Sequence, residues 1–114
     1  MTESFFYDNR LEASADHPGL VELERVYALD FGRLSEDDSL ALLELYRSLP
    51  GQYREVSGAS WFGEPEGCPP YLSASAEPSG LQVSGILAPH DLAAWHAAFV
   101  LGLAASPFPL HDFD

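Results

Sequence analysis

Four histidines (His17, His90, His96 and His111), the single Cys68 and the carboxylates are the residues of this chain best suited to chemistry. Their arrangement argues against it. No histidine pair has HxxxH or HExxH spacing, and a lone cysteine cannot supply the thiolate pair of a zinc site. Ser60 lies in Gly58-Ala59-Ser60-Trp61-Phe62, where a nucleophile elbow of the G-x-S-x-G type would require glycine in place of Phe62. No glycine-rich run matches a phosphate cradle. The densest carboxylates, Glu36-Asp37-Asp38, directly follow Ser35, so a capped helix start accounts for them without catalysis. His111, Asp112 and Asp114 meet at the tail without a recognisable ligand pattern. His96, inside an apolar run, reads as a packed core histidine. The expectation is a protein that is not an enzyme and holds no metal or cofactor.

Charge is the more informative property. Eighteen carboxylates stand against five arginines and no lysine, for a net charge of −13 over 114 residues. All the arginines (Arg10, Arg25, Arg33, Arg47 and Arg54) lie in the first half, and seven acids but no base follow Arg54. Such a chain repels nucleic-acid phosphates and anionic membranes and attracts basic proteins over long range. An apolar content of 46%, with seven Phe, five Tyr and two Trp, is enough for a core and too high for intrinsic disorder. The length fits a single domain, 1–114. One cysteine forms no internal bridge, which favours a reducing compartment. With neither a signal-peptide pattern nor a membrane-length apolar run, the chain is expected to be cytoplasmic.

The elements that would position a site follow from periodicity. Residues 4–8 suit a short edge strand or apolar arm, and Asn9 to His17 reads as a loop. Leu20, Leu23, Tyr27 and Phe31 recur at helical spacing. Val21, Leu23, Tyr27, Leu29 and Phe31 also alternate as in a strand, broken only by Arg25. Length and Leu/Glu/Arg/Ala content favour helix over 20–31. A second helix starts at the Ser35 cap and stops at Pro50-Gly51. Gln52 to Val56 suits a strand. Ser57 to Pro70, with three glycines and three prolines, reads as a loop.

Pro70 to Ser106 holds the clearest pattern: strand 71–77, the turn Glu77-Pro78-Ser79-Gly80, strand 81–87, then a helix from about Asp91 to Leu103. Leu72, Ala74, Ala76, Leu81 and Val83 share one face of the hairpin, and Ser73, Ser75, Gln82 and Ser84 the other. Gly85 is expected to weaken or bulge the second strand. Leu92, Trp95, Phe99 and Leu103 form a stripe to cover the apolar face. From Leu92 through Leu110 there is no formally charged side chain, so the side bearing Ala94, Ala97, Ala98 and Leu101 is a candidate homodimer contact. Pro107 and Pro109 end the helix. The expected fold is α+β: two N-terminal helices, a small antiparallel sheet over about 52–87, and a C-terminal helix packed on it.

Absent catalytic chemistry, contact residues are the natural candidates for function. Trp61 and Phe62 stand beside Glu64 and Glu66 in the loop, either folded back as a lid over the sheet or offered as aromatic anchors within an acidic rim. Asp112, Phe113 and Asp114 offer a similar mixture at the tail. The leading expectation is an acidic binding protein that neutralises a basic partner, most simply an immunity-type protein for a bacterial toxin. Two alternatives are an acidic adaptor or secretion chaperone, and a nucleic-acid mimic. The mimic ranks lower because the acids look scattered along the chain.

Overall fold

Alternation of apolar and hydroxylated residues over 71–87 builds the hairpin at the centre of the fold. Strands β4 (Tyr71–Glu77) and β5 (Gly80–Leu87) pair antiparallel through the two-residue connection Pro78-Ser79. The computed structural model, which describes residues 5–53, 59–64, 67–106 and 108–111, adds three further strands. These are β1 (Phe6–Ala13), β2 (Val21–Tyr27) and the short β3 (Ser60–Trp61), and the sheet order is β1-β2-β5-β4-β3, antiparallel throughout. Helix α1 (Glu36–Ser48) lies between β2 and β3 in sequence, and helix α2 (Pro89–Ala105) follows β5. The fold class is α+β.

Residues 20–31 depart from the expected helix. They hold strand β2, paired with β1 on one side and β5 on the other, and a 3-10 turn begins at Phe31, so among the described residues α1 is the one α-helix before the hairpin. Leu23, Arg25 and Tyr27 pair with Gly85, Val83 and Leu81 and so share the core face. The residue that seemed to break the alternation is therefore an inward arginine, 7% exposed. Sheet pairing and burial override a weak helix propensity when a strand is flanked on both edges. The N-terminal segment changes with it. Asn9 to Ala13 is not a loop but the second half of β1, which continues past an irregularity between Asp8 and Arg10.

Gly85 does not bulge the strand, because register runs unbroken through it on both sides. A side chain there would strike the Tyr71 carbonyl, so glycine permits the close passage of β4. Of the strand expected over 52–56, Gln52 makes an isolated bridge to Trp61, while 54–56 lie outside the described residues.

Helix α1 is capped as its sequence suggests. Ser35 Oγ accepts from the Asp38 amide at 3.0 Å, and Asp38 Oδ2 accepts from the Ser35 amide at 3.1 Å. Helix α2 starts with Pro89 in its first turn and buries Leu92, Trp95, Phe99 and Leu103. Both helices contribute to one core with Leu23, Tyr27, Leu72, Leu81, Val83 and Leu87 from a single face of the sheet. Phe108 to His111 returns alongside Ala28 to Asp30. Leu29 bridges Leu110, and the Asp30 amide donates to the Pro109 carbonyl at 2.9 Å. Among the described residues, no helix is long and apolar enough to cross a membrane.

Candidate binding face

With both helices on one side, no helix among the described residues lies over the other face of the sheet. Cross-strand register sets three rungs on this face. Glu12, Glu22, Ile86 and Tyr71 make the first; Arg10, Glu24, Ser84 and Ser73 the second; Tyr7, Val26, Gln82 and Ser75 the third. All of these but Glu12, Tyr7 and Val26 line a cleft of about 700 Å³. Its floor is Ser73, Ser75, Ser84 and Gln82, its acidic wall is Glu22 and Glu24, and Tyr71 and Ile86 close one end.

The wall is pre-arranged. Glu12 and Glu22 face each other directly across β1 and β2, a repulsive placement. Arg10 relieves it, at 3.4 Å from Glu12 and 3.0 Å from Glu22. Asn9 Nδ2 donates to Glu24 Oε2 at 3.1 Å. The irregularity between Asp8 and Arg10 makes this possible: it leaves Asp8 on the core face and turns Arg10 to the open one. Three carboxylates with one arginine leave the rim acidic. The floor supplies hydroxyl and amide groups that both donate and accept. Such a surface can hold backbone amides, lysine or arginine by hydrogen bonds and charge. Its lining contains no histidine or cysteine to act as a nucleophile or metal ligand.

Behind the cleft, on the core face, a polar junction ties three elements together. Arg25 Nε donates to Asp8 Oδ1 at 2.6 Å and Nη2 donates to Asp8 Oδ2 at 3.1 Å, a bidentate pair. The guanidinium also stands 4.4 Å from the centre of the Phe6 ring. Its Nη1 reaches Tyr27 Oη at 3.4 Å and His96 Nδ1 at 3.3 Å. Tyr27 Oη donates to that same nitrogen at 2.8 Å. Both neighbours donate, so Nδ1 is the acceptor and the ring proton sits on Nε2.

The charge states agree with this reading. Burial opposes the Arg25 charge, but the Asp8 carboxylate and Tyr27 outweigh it and the pKa ends above its ordinary value. Burial pushes Tyr27 up to about 12, even against Arg25, so it remains a donor. Burial, and after it the Arg25 charge, lowers His96 from its ordinary 6.5. An unfolded chain therefore takes up the His96 proton more readily than the folded one. Stability from the junction is complete above about pH 6.5 and is lost as pH falls below it toward the lowered folded-state value. His96→Gln keeps an acceptor but cannot titrate. It is expected to flatten the decline of the urea midpoint between pH 7 and pH 5, and equal slopes in the two proteins would contradict the assignment.

The residues singled out from sequence are not brought together here. Trp61 is 0% exposed. Its ring lies edge-on to Trp95 and Tyr46, and its Nε1 donates to the Tyr46 carbonyl at 3.0 Å, so the indole offers no surface to a partner. Phe62 is half-buried in the left-handed region at φ 69, with its ring over Gly51. Glu64 is exposed, while Glu66, Asp112, Phe113 and Asp114 lie outside the described residues. Sequence reasoning did find the hydroxylated face of the hairpin, but missed Glu22 and Glu24 as its neighbours. The signal that finds them is the alternation of Glu22 and Glu24 with Leu23 and Arg25, which the helical spacing of Leu20, Leu23, Tyr27 and Phe31 masks. Comparison with protein-family models, curated proteins and solved structures finds no match for this chain.

Proposed function

We propose that this chain is a cytoplasmic binding protein, not an enzyme, that neutralises a basic protein partner as an immunity protein neutralises a toxin, and that it does so with the open face of its sheet. The observation that carries this reading is the cleft: a floor of Ser73, Ser75, Gln82 and Ser84 beside a wall of Glu22 and Glu24. The net charge of −13 draws a basic surface in from a distance. Hydroxyl and amide groups then fix register at close range, where rigid, short side chains lose little entropy on binding. The acidic rim makes nucleic acid an unfavourable ligand.

The test is capture from the source organism's lysate at low salt, comparing wild type with a Glu22→Lys/Glu24→Lys variant. Wild type should retain a basic protein. Its association rate should fall roughly tenfold as salt is raised from low to physiological levels, an effect of the size steering produces. The variant should lose the partner while keeping the wild-type melting temperature to within a few degrees. Retention of the same protein by both, or binding indifferent to ionic strength, would end this reading.

One observation favours a dimeric adaptor or secretion chaperone as the second reading. Leu101 is 72% exposed on the uncharged outer side of α2, beside Ala94 and Ala97. Sedimentation at micromolar concentration separates the two, since an obligate dimer that Leu101→Glu splits belongs to the adaptor.

A further inference from the structure

Strand β1 forms one edge of the sheet, and α2 meets its start, where the His96 ring packs edge-on to Phe6, but leaves Leu11 half exposed. Leu11 faces the core side, opposite Leu23, yet remains 50% exposed. Between it and the helix runs an apolar groove of about 370 Å³ lined by Phe6, Leu11, Val21, Leu92 and Ala93, with His96 and Arg25 at its base. Arg25 is already engaged by Asp8, Tyr27 and His96, so its charge is not on offer. The two sides of this edge thus differ sharply. One is apolar and indented, and the other carries Glu12 and Glu22 around a single Arg10.

We propose that the regular part of the edge, Arg10 to Ala13, accepts an added strand from a partner protein: an extended segment that alternates apolar and basic residues. An edge strand presents alternate N–H and C=O groups outward, and a sixth antiparallel strand would satisfy them. Because side chains alternate, every second residue of the incoming strand packs against Leu11 at the outer lip of the groove, and the others stand beside Arg10 and Glu12, with Glu22 one strand further in. The irregularity after Asp8 and the charges at Arg10 and Glu12 blunt the edge against indiscriminate pairing. On the open face two carboxylates, Glu12 and Glu22, share the single Arg10, and the acid left over selects for a basic complement there. A second copy is a poor occupant, since it brings the same acidic face to the junction on a chain of net charge −13. This surface is separate from the cleft floor, and the proposal stands whether or not the cleft binds a protein.

The probe is a short capped peptide alternating lysine with leucine, titrated into the isotope-labelled chain. Two controls accompany it: the same composition with lysines and leucines in separate blocks, and the alternating peptide N-methylated along one edge. The expected result is slowed amide exchange and shifted resonances at Arg10 to Ala13 and Val21. Affinity should fall about tenfold on N-methylation and about tenfold with Leu11→Asn, and be retained in Leu11→Val. Any one of four results overturns the proposal: equal binding of the blocked or methylated peptide, shifts confined to the floor around Ser73 and Ser84, protection of β1 by self-association without peptide, or no binding of the alternating peptide.

Discussion

Asp8→Ala should destabilise the fold by roughly 2 kcal/mol, a sizeable fraction of the 5–15 kcal/mol that holds a typical domain together. The reason is what it leaves behind. Arg25 sits on the core face of β2, between Val83 on the neighbouring strand and the Phe6 ring, and its guanidinium cannot shed its charge. Without Asp8, the donors of Arg25 Nε and Nη2 lose their charged acceptor, and water entering at the partly exposed Asp8 position replaces it only in part. Tyr27 and His96 still contact Nη1, but neither is negative. The double variant Asp8→Leu/Arg25→Met removes both charges and fills similar volume. It should recover most of the loss, since no unpaired charge is left at the part-buried junction and apolar replacement of such a pair is often neutral. Urea denaturation of the three proteins checks this. A double variant no more stable than Asp8→Ala would show that the pair contributes more than mutual compensation.

The second large effect is expected at Trp61. Trp61→Ala should cost about 3–5 kcal/mol, because a fully buried indole is exchanged for a cavity among Tyr46, Trp95 and Leu72. The Tyr46 carbonyl also loses its indole donor. For a domain of this size that is a fall in melting temperature of roughly 10–20 °C. Trp61→Phe should cost much less, retaining the ring contact and losing the hydrogen bond, worth about 1 kcal/mol. The outcome separates two roles for this residue. A core tryptophan loses stability on truncation and leaves the affinity of the folded fraction unchanged. An interface anchor would lose affinity at nearly constant melting temperature. The geometry predicts the first outcome.

Local chemistry decided much of what is legible along the chain. Ser35 with Asp38 specifies a helix start, because the cap satisfies backbone donors within four residues. Pro78-Ser79 with strict alternation on both flanks specifies the hairpin and its two faces. Leu92, Trp95, Phe99 and Leu103 specify which side of α2 is buried, because 3.6-residue periodicity needs no knowledge of the partner. The same alternation put Ser73, Ser75, Gln82 and Ser84 together before any fold was known. The absence of metal-site spacing and the net charge of −13 were equally readable.

Tertiary structure alone decided the remainder, and for a common reason: each case turns on a neighbour distant in sequence. Arg25 looked like a break in a strand because its partner Asp8 lies on another strand, and its third contact, His96, lies on the last helix. Once β1 and β5 flank the segment, the arginine becomes an interior residue and the alternation is complete. Trp61 looked like a candidate anchor because glycine and proline surround it. Its burial depends on Tyr46 and Trp95 meeting it from two helices, which loop composition does not encode. The acidic wall likewise arises only when β2 pairs with β5 and sets Glu22 and Glu24 beside Ile86 and Ser84. The sequence by itself determined the polar hairpin face, the capped helix and the sign of the charge, since short-range periodicity and composition carry those. Only the fold decided that the carboxylates stand beside that face and the tryptophan beneath it, because both depend on long-range pairing.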